Sequence, residues 1–330
     1  MKISVLTAVY NTAAYLPECL DSILRQTHED WQLICIDDAS TDGSWDVLQE
    51  YAARDRRITL LRNECNMGQA KARNRGIAVA DGDLITMVDS DDWISPDAFE
   101  KICAVFEKYP STDCVLFELE EVSPNGECRR YPLPGRRCYS GEEACRLSID
   151  WTIHGVYTAR RVLFERWPYD DACRVFSDDN TTRVHYLKSR EVRVCDAVYY
   201  YRKHAVSVSR QRGIGRLEIL PALRSLRQTL LAEGLPSGDI WLVDLMLWRN
   251  VMGGWMYYYA CRKKMTPEEV RRVRDMLEAY YRSTDTSRLP IGIKWRFGYA
   301  PLKCCPPLYR MQMLVFTRLR LLLGLDKDRY

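Results

Sequence analysis

The chain has 330 residues, which is long for one domain and sufficient for two domains with substantial cores. Hydrophobic residues make up 47% of the sequence and charged residues 28%, a globular composition that excludes a disordered chain. The net charge is only +3, and the thirteen cysteines are scattered, odd in number and never spaced as Cys-x-x-Cys. We therefore expect free thiols in a reducing cytoplasm instead of a disulfide scaffold.

The first half of the chain alternates short apolar runs with stretches whose apolar residues recur at helical spacing. This alternation predicts repeated βα units and an α/β fold with a mostly parallel sheet and helices on both faces. The predicted strands are Ile3–Val9, Leu33–Ile36, Ile58–Leu61, Leu84–Val88 and, after a helix over Pro96–Lys108, Cys114–Leu119. In such open sheets, ligands bind beyond the carboxyl ends of the strands.

Polar residues stand at three of those strand ends. Tyr10 and Asn11 follow the first predicted strand, and Asp37 and Asp38 close the second. The run Asp89–Asp92 follows the fourth. Since the carboxyl ends of parallel strands share one edge of the sheet, we expect all three groups to converge on one crevice.

The acidic run Asp89–Asp92 contains two carboxylates with a single intervening residue. In extended geometry, residues two apart share a face, so Asp89 and Asp91 can be directed at one point. Neighbouring carboxylates repel each other unless a cation or hydrogen-bond donors compensate them, and Mg²⁺ commonly takes one or two carboxylates plus phosphate oxygens of a substrate. The run therefore predicts a divalent cation bound against a phosphate. The alternative interpretation is an acidic turn that caps the helix beginning near Pro96.

The second half of the chain is predicted to be largely helical. A segment rich in Pro, Gly and Arg, residues 124–141, indicates an irregular or hairpin connection. Helices are predicted over Leu217–Ala232, Ile240–Arg262 and Pro267–Arg282. The middle helix is very apolar but contains charged residues, so we interpret it as a buried or interfacial helix, not a membrane span. We predict a nucleotide-binding domain over residues 1–209 and a helical C-terminal region over residues 210–330, associated with an acceptor or a membrane.

Several segments together resemble the family 2 glycosyltransferases, which have the GT-A fold. The order and spacing of these segments agree with that family over about residues 1–209. The matching segments are Val5–Asn11, Asp37–Gly43, Asn66–Gly68, Ala72–Gly76, Asp89–Asp92, Ser177–Asp179 and Tyr200–Ser207. The resemblance implies an inverting transfer of a sugar from a nucleotide sugar, with UDP favoured as the nucleotide, to a hydroxyl of a saccharide or lipid-linked acceptor.

The resemblance also implies roles in donor binding. Asp38 would pair with the nucleotide base, Asp89 would contact the ribose or the donor sugar, and Asp91 would hold Mn²⁺ or Mg²⁺ against the diphosphate. The remaining residues of the nucleotide pocket would be Ala8, Tyr10, Asn11 and Arg73, the first three acting largely through their backbone.

The chemistry of sugar transfer requires two further functions. Negative charge develops on the departing diphosphate, and we expect Arg202 and His204 to help Asp91 and the ion neutralise it. The attacking hydroxyl needs a general base, which typically contributes ~10²–10⁴-fold, and our candidate is Asp179. The alternative for Asp179 and its neighbour Asp178 is that they only cap a helix and interact with its dipole.

The sequence departs from the family at three places. Ala39 stands where glycine is common, and Asp178 replaces the glutamate of a Glu-Asp pair. The lysine that several relatives carry around residues 151–156 is lacking, so any contact that it makes in those relatives is not expected in this chain.

The C-terminal residues 291–330 contain eight Lys or Arg and two Asp, and no acidic residue lies between positions 291 and 325. Apolar residues there recur on one helical face: Leu308, Met311, Val315, Leu319 and Leu322. Such a helix can lie on an anionic bilayer, which would suit a lipid-linked acceptor and a peripheral position on the inner face of the cell membrane. The alternative is a core helix packed on the N-terminal domain.

Two other functions fit parts of the pattern. A phosphatase resembling the haloacid dehalogenase superfamily also has Asp-x-Asp after an apolar strand, but it normally has that motif on its first catalytic strand. A non-catalytic nucleotide or sugar binder is the second alternative. The expected partners are a nucleotide-sugar donor, an acceptor and an anionic membrane surface, and not a nucleic acid.

Overall fold

The structure is a computed structural model that describes residues 1–171, 176, 178–204, 213–289 and 305–325. The chain divides into two compact units, Met1–Ser207 and Val208–Tyr330. The first is a sheet with flanking helices, and the second is helical.

The N-terminal unit is built on one sheet, of which four strands form a parallel block in the order β3-β2-β1-β4. These strands are β1 (Ile3–Val9), β2 (Trp31–Asp37), β3 (Ile58–Arg62) and β4 (Leu84–Met87). The helices that connect or follow them are α1 (Leu16–Leu24), α2 (Ser44–Arg54), α3 (Gln69–Ile77) and α4 (Ala98–Lys108). Strands β1, β2 and β4 are buried almost throughout, which explains their continuous apolar runs.

The other half of the sheet mixes two long strands in the direction of the parallel block with four shorter antiparallel strands. Its elements are β5 (Trp93–Ile94), β6 (Thr112–Val122), β7 (Cys128–Arg130), β8 (Cys138–Ser140), β9 (Tyr157–Arg160) and β10 (Glu191–Arg202). Strand β9 runs antiparallel between β4 and β6, while β10 is parallel to β6. Because β9 is antiparallel to both β4 and β6, strand β6 runs in the same direction as β4, and so does β10, which is parallel to β6. The carboxyl end of β10 therefore lies at the same edge as those of β1, β2 and β4.

The helices of this unit pack on the sheet through residues at helical spacing. In α1 these are Leu16, Cys19, Leu20 and Ile23, all fully buried in the core. Helix α3 approaches the sheet most closely at Gly76, where a Cβ would lie 2.9 Å from Cδ1 of Ile36. Three more helices, α5 (Gly141–Ile149), α6 (Arg161–Arg166) and α7 (Asp178–Lys188), complete the unit.

The C-terminal unit contains α8 (Ile219–Ala232), α9 (Trp241–Cys261), α10 (Pro267–Ser283) and α11 (Pro306–Leu322). Helix α9 has buried residues on every side, and its buried Asp244 forms an ion pair of 2.8 Å with Arg227 of α8. Tyr309 of α11 stacks on Tyr281 of α10 with ring centroids 4.4 Å apart. No helix among the described residues is long and apolar enough to cross a membrane.

The predicted fold class is confirmed. The N-terminal unit is a mixed α/β structure with a mostly parallel sheet, and a helical region follows it in the chain. The predicted strands and helices are present with ends shifted by a few residues. Part of the segment 124–141 forms β7, which pairs antiparallel with β6 as a hairpin. The eleven cysteines of the described residues are free thiols, and most are buried.

Candidate active site

The loops after β1 and β2 are joined to each other at the carboxyl edge of the sheet. The amide of Asn11 donates to Oγ of Ser40 at 3.0 Å, and Oδ1 of Asn11 accepts from the amide of Thr41 at 2.8 Å. Asn11 and Ala39 have left-handed φ angles of 53° and 63°. Ala39 therefore carries a steric cost that glycine would not have, because only glycine adopts this conformation freely.

Two of the residues predicted to frame the nucleoside lie on β1 or directly after it. Ala8 is partly buried in β1 beside Ile36 of β2. Tyr10 follows the strand and is 49% exposed. The aromatic ring of Tyr10 is therefore open to a ligand at the strand edge.

Asp38 is buried and closes the loop between β3 and α3. Its carboxylate accepts from Nδ2 of Asn63 at 2.6 Å and from the amides of Met67 and Gly68 at 2.9 and 2.8 Å. A carboxylate has about four lone-pair directions, so these three donors leave it about one more acceptor position. Asp38 both fixes this loop and retains limited capacity for a ligand.

Asp89 emerges after β4, where Arg73 of α3 neutralises it. A terminal guanidinium nitrogen of Arg73 lies 2.7 Å from Oδ1 of Asp89, and Nε2 of Gln69 lies 3.0 Å from the same atom. The side chain of Arg73 is only 8% exposed, whereas that of Asp89 is 38% exposed. A buried cation therefore holds a carboxylate that remains accessible from the crevice.

Asp91 points to the end of β10, where His204 holds it. Nε2 of His204 lies 2.7 Å from Oδ2 of Asp91, and the imidazole stacks on the ring of Tyr15 with centroids 4.8 Å apart. Nδ1 of His204 is buried and has no hydrogen-bond partner within the described part of the chain. The imidazole therefore holds the carboxylate of Asp91 through Nε2 alone.

Asp92 is the structural member of the acidic run. It is 1% exposed and accepts hydrogen bonds from the hydroxyl of Tyr199 at 2.9 Å and from the amide of Arg202 at 2.8 Å. Burial, followed by the charges of Asp89 and Asp91, raises its pKa well above the ordinary range. No member of the run caps α4, because the N-cap residue of that helix is Asp97. The capping alternative for the run is therefore wrong.

Arg202 is engaged within the protein. Its Nε donates to the carbonyl of Asp91 at 2.8 Å, and its guanidinium forms an ion pair with Glu18. The guanidinium also lies over the ring of Trp93, 4.4 Å from the ring centroid. These contacts fix the backbone at Asp91, which favours a positioning role for Arg202 over direct contact with a diphosphate.

Asp179 lies at the amino end of α7, and a series of contacts connects this end to the acidic run. The carboxylate of Asp170 accepts a hydrogen bond from Nδ2 of Asn180 at 3.1 Å. The backbone N–H of Asp170 donates to Oγ1 of Thr181 at 2.8 Å. The preceding Tyr169 exchanges two hydrogen bonds with Asn74 of α3, and the guanidinium of Arg73 lies over its ring. Since Arg73 contacts Asp89, this route links α7 to the crevice. Ser177, residues 205–207 and the side chain of Asp178 lie outside the described residues.

The donor set fits a hard divalent ion that takes most of its ligands from a substrate. Among the described residues, no group of three or more His, Cys, Asp or Glu side chains is arranged to hold a metal ion. Magnesium and similar ions are often held by one or two carboxylates plus phosphate oxygens, and Asp91 can supply such a ligand. His204 is not a second ligand of the same ion, because Nε2 faces Asp91 and the buried Nδ1 points away from it.

Three residues that organise the crevice were not identified from the sequence: Asn63, Tyr15 and Tyr199. Asn63 directly follows β3, so the rule that ligands bind at carboxyl strand ends gives a signal for it. Tyr199 lies on β10, where its hydroxyl accepts from the amide of Asp89 at 3.0 Å and donates to Asp92. Neither Tyr199 nor Tyr15 had a local sequence signal, because each contacts a partner distant in the chain.

A comparison with protein-family models identifies the N-terminal part. Residues 4–167 match the model described as Glycosyl transferase family 2. The chain is a family 2 glycosyltransferase. Among curated relatives, Glycosyltransferase GlyG of Streptococcus pneumoniae serotype 4 is 29% identical over 220 residues, which cover 63% of this chain and 73% of GlyG. Other curated relatives are matched over smaller shares of their length: the putative glycosyltransferase EpsH of Bacillus subtilis is 43% identical over 100 residues, which cover 30% of this chain and 29% of EpsH.

Solved structures support the GT-A fold of this glycosyltransferase. TarS 1-349 of S. aureus in complex with UDP-GlcNAc has a TM-score of 0.71 at 18% identity, with 98% of this chain and 92% of that one covered. The mannosyltransferase PcManGT of Pyrobaculum calidifontis, in complex with GDP-Man and Mn²⁺, has a TM-score of 0.53 at 16% identity, with 99% and 88% covered.

The family assignment also excludes the phosphatase alternative. In this glycosyltransferase the acidic run follows β4, and the three strands β1, β2 and β3, each with its helix, precede β4 in the chain. The second acidic strand end, Asp37 and Asp38, belongs to the same crevice edge. Neither feature corresponds to a motif on the first catalytic strand.

Proposed function

We propose that this glycosyltransferase is an inverting enzyme that transfers a sugar from a UDP-sugar to a hydroxyl of a saccharide or lipid-linked acceptor. The observation that carries the proposal is the pair of accessible carboxylates after β4. Asp89 is held by Arg73 and Asp91 by His204, at the edge where the β1 and β2 loops present Tyr10 and Asp38. In this proposal the N-terminal unit performs the chemistry, and the C-terminal unit serves the acceptor or a membrane surface.

The nucleoside binds at the ends of β1 and β2. The remaining acceptor position of Asp38 suits a ring N–H such as that of uracil, and the exposed ring of Tyr10 offers a surface for the base. Asn11 holds the two loops in register through Ser40 and Thr41. TarS, which has a similar fold, was solved in complex with UDP-GlcNAc, and this supports a uridine nucleotide as the donor.

The diphosphate lies at Asp91. Asp91 would hold Mn²⁺ or Mg²⁺, with His204 keeping its carboxylate in place, and the ion would supply positive charge where the leaving diphosphate becomes more negative. Arg202 keeps the carbonyl of Asp91 fixed, and Tyr199 holds the amide of Asp89, so both carboxylates are preorganised. Asp89 and Arg73 are then placed for the ribose or the donor sugar.

Asp179 accepts the proton of the attacking hydroxyl in this proposal. Helix α7 ends two residues before β10 begins, so it runs back along the sheet and its amino end lies toward the carboxyl edge. The contacts through Asp170, Tyr169 and Arg73 link that end to Asp89. A carboxylate on the acceptor side of the crevice gives the geometry that direct displacement and inversion require.

A thermal-shift panel of UDP-, GDP- and other nucleotide sugars, each with and without Mn²⁺, tests this function. We expect stabilisation by UDP-sugars only when metal is present, by about 2.7 kcal/mol at a ligand concentration of 100 times the dissociation constant. EDTA should abolish the shift. Equal shifts without metal, or no shift with any nucleotide sugar, would contradict the proposed donor site.

A further inference from the structure

Helix α11 exposes a second apolar face that the fold does not use. Its buried face is formed by Tyr309, Met313 and Thr317, which pack inside the C-terminal unit. The other face consists of residues spaced by three or four positions that are between 43% and 83% exposed: Leu308, Met311, Val315, Leu319 and Leu322. Leu323 and Leu325 extend it at 72% and 60% exposure. A contiguous apolar strip of this length marks an interaction surface and not a scatter of single exposed residues.

An arginine-lined cavity adjoins this strip. The cavity has a volume of about 310 Å³ and contains Met311 of the strip. Its other lining residues are Trp255, Tyr258, Tyr259, Arg262, Arg274, Arg310 and Leu314, so no acidic side chain lines it. Arg310 pairs with Glu278 and Arg274 with Asp275, whereas Arg262 lies over the ring of Tyr259 and has no acidic partner within the described ranges.

The charge around the strip decides which partner it fits. Arg310, Arg318 and Arg320 lie on α11, and the helix has no acidic residue. Arg318 borders the strip, three residues from Val315, so a second copy docked face to face would bring the two Arg318 side chains together, which disfavours self-association. An anionic bilayer would accept the apolar strip below its headgroups and place the exposed Arg318 among lipid phosphates.

We propose that the C-terminal unit binds an anionic lipid bilayer, with the exposed face of α11 inserted into the interface and a lipid phosphate held in the Arg262 cavity. Helix α11 has 17 residues and would span about 26 Å, long enough for its apolar strip to lie along the surface. The proposal goes beyond the sugar transfer reaction, since donor binding does not depend on it.

Vesicle flotation of the full chain tests the apolar strip. We compare phosphatidylcholine vesicles with vesicles containing phosphatidylglycerol, at low and high salt. Wild type should float only with the anionic vesicles, and the double variant Val315→Gln/Leu319→Gln, which leaves the cavity intact, should bind at least about tenfold more weakly. The control Val162→Gln changes an equally exposed apolar residue of the N-terminal unit and should bind as wild type.

A second pair of variants tests the cavity. Arg262→Gln should weaken binding to anionic vesicles by about fivefold, whereas Lys263→Gln, at the exposed neighbouring position, should have a smaller effect. Glycerol phosphate in solution is the competitor that distinguishes a free phosphate from a membrane lipid. If it binds wild type as strongly as vesicles do, the membrane assignment is wrong.

Other outcomes separate this proposal from the sugar transfer function. All variants should keep the metal-dependent thermal shift with nucleotide sugar, which shows that they fold and bind donor. Absence of flotation with anionic vesicles overturns the proposal while leaving the donor site untouched. A concentration-dependent dimer that Val315→Gln/Leu319→Gln dissociates would assign the strip to a second copy instead.

Discussion

Nε2 of His204 lies 2.7 Å from Oδ2 of Asp91, although the two residues are 113 positions apart in the chain. His204 follows the last strand of the sheet, and Asp91 follows the fourth. Because both strands run in the same direction, their ends meet at one edge, and the pair joins the acidic run to the last segment of the N-terminal unit. This contact makes Asp91 the centre of the candidate metal site.

We expect Asp91→Asn to abolish the metal-dependent part of nucleotide-sugar binding. The amide oxygen still accepts from His204, but the negative charge that a divalent ion requires is lost. Isothermal titration of UDP-sugar with and without Mn²⁺ measures the effect, and the difference between the two affinities should disappear. The matched control is Asp30→Asn, an exposed acid just before β2 at the opposite edge of the sheet. Unchanged manganese dependence in Asp91→Asn would remove Asp91 from the metal site.

We expect Asp179→Asn to lower turnover by about 10²–10⁴-fold with nearly unchanged donor affinity, because a general base acts on the acceptor and not on the nucleotide. Steady-state kinetics and donor titration together measure this separation. Asp171→Asn is the control, since Asp171 is exposed in the segment that leads to α7. Near-normal turnover in Asp179→Asn would mean that another group accepts the proton, and Asp179 would then interact only with the dipole of α7.

The strand order and the acidic ends could be predicted from the sequence because both depend on local patterns. Apolar runs identify strands, and the edge rule brings Asp38, Asp89 and Asp91 together without knowledge of side-chain packing. The partners of these carboxylates could not be predicted. Arg73 lies in a basic stretch of α3 that resembles a solvated helix face, yet its side chain is 8% exposed and bound to Asp89. That difference arises from the close approach of α3 to the sheet.

The role of Arg202 shows the same limit. From the sequence, an arginine near the diphosphate site is a natural source of positive charge. The structure adds Glu18, Trp93 and the carbonyl of Asp91 as its partners, from segments distant in the chain. The sequence shows which residue types could bind a diphosphate. Whether such a residue is already bound to other protein groups depends on the packing of distant segments.

We expect Arg73→Gln to lower the unfolding free energy by about 1–2 kcal/mol and to weaken donor binding. Removing one member of a largely buried pair leaves the other charge uncompensated, and the partial exposure of Asp89 limits the cost. Urea denaturation and donor titration measure the two effects. Lys71→Gln, on the exposed side of the same helix, should change neither. Equal losses in both variants would indicate a general charge effect on α3.

We expect Ala39→Gly to raise the unfolding free energy by up to about 1 kcal/mol. Ala39 has a φ of 63°, and relief of the steric cost of this conformation should exceed the added entropy of glycine in the unfolded chain. The matched control is the opposite substitution, Gly43→Ala, in the same loop after β2. Gly43 has a φ of 91° with no atom near the position of a Cβ, so Gly43→Ala should destabilise through the backbone alone. Opposite signs in urea denaturation are the expected result.

We expect the N-terminal unit to lose stability as the pH falls from about 6.5 toward 4, because two histidines are buried in the neutral form. Burial lowers the pKa of both His154 and His185 to about 4. Nε2 of His154 donates to the carbonyl of Phe117, and Nε2 of His185 donates to that of Trp167. Nδ1 of His154 accepts from the amide of Val156, which cannot accept a proton in return, and Nδ1 of His185 accepts from the hydroxyl of Tyr157, which would have to turn to accept one.

The sign of this pH effect follows from proton binding. Between about pH 4 and 6.5 the unfolded chain binds more protons than the folded chain at these two positions. The contribution of the two neutral histidines to the unfolding free energy is therefore complete above pH 6.5 and decreases as the pH falls below that value. Each histidine contributes at most about 3 kcal/mol over that interval. Urea denaturation at a series of pH values should show a shallower slope in His185→Gln and a still shallower one in the double variant with His154→Gln. An unchanged slope in the double variant would show that carboxylates alone cause the acid sensitivity.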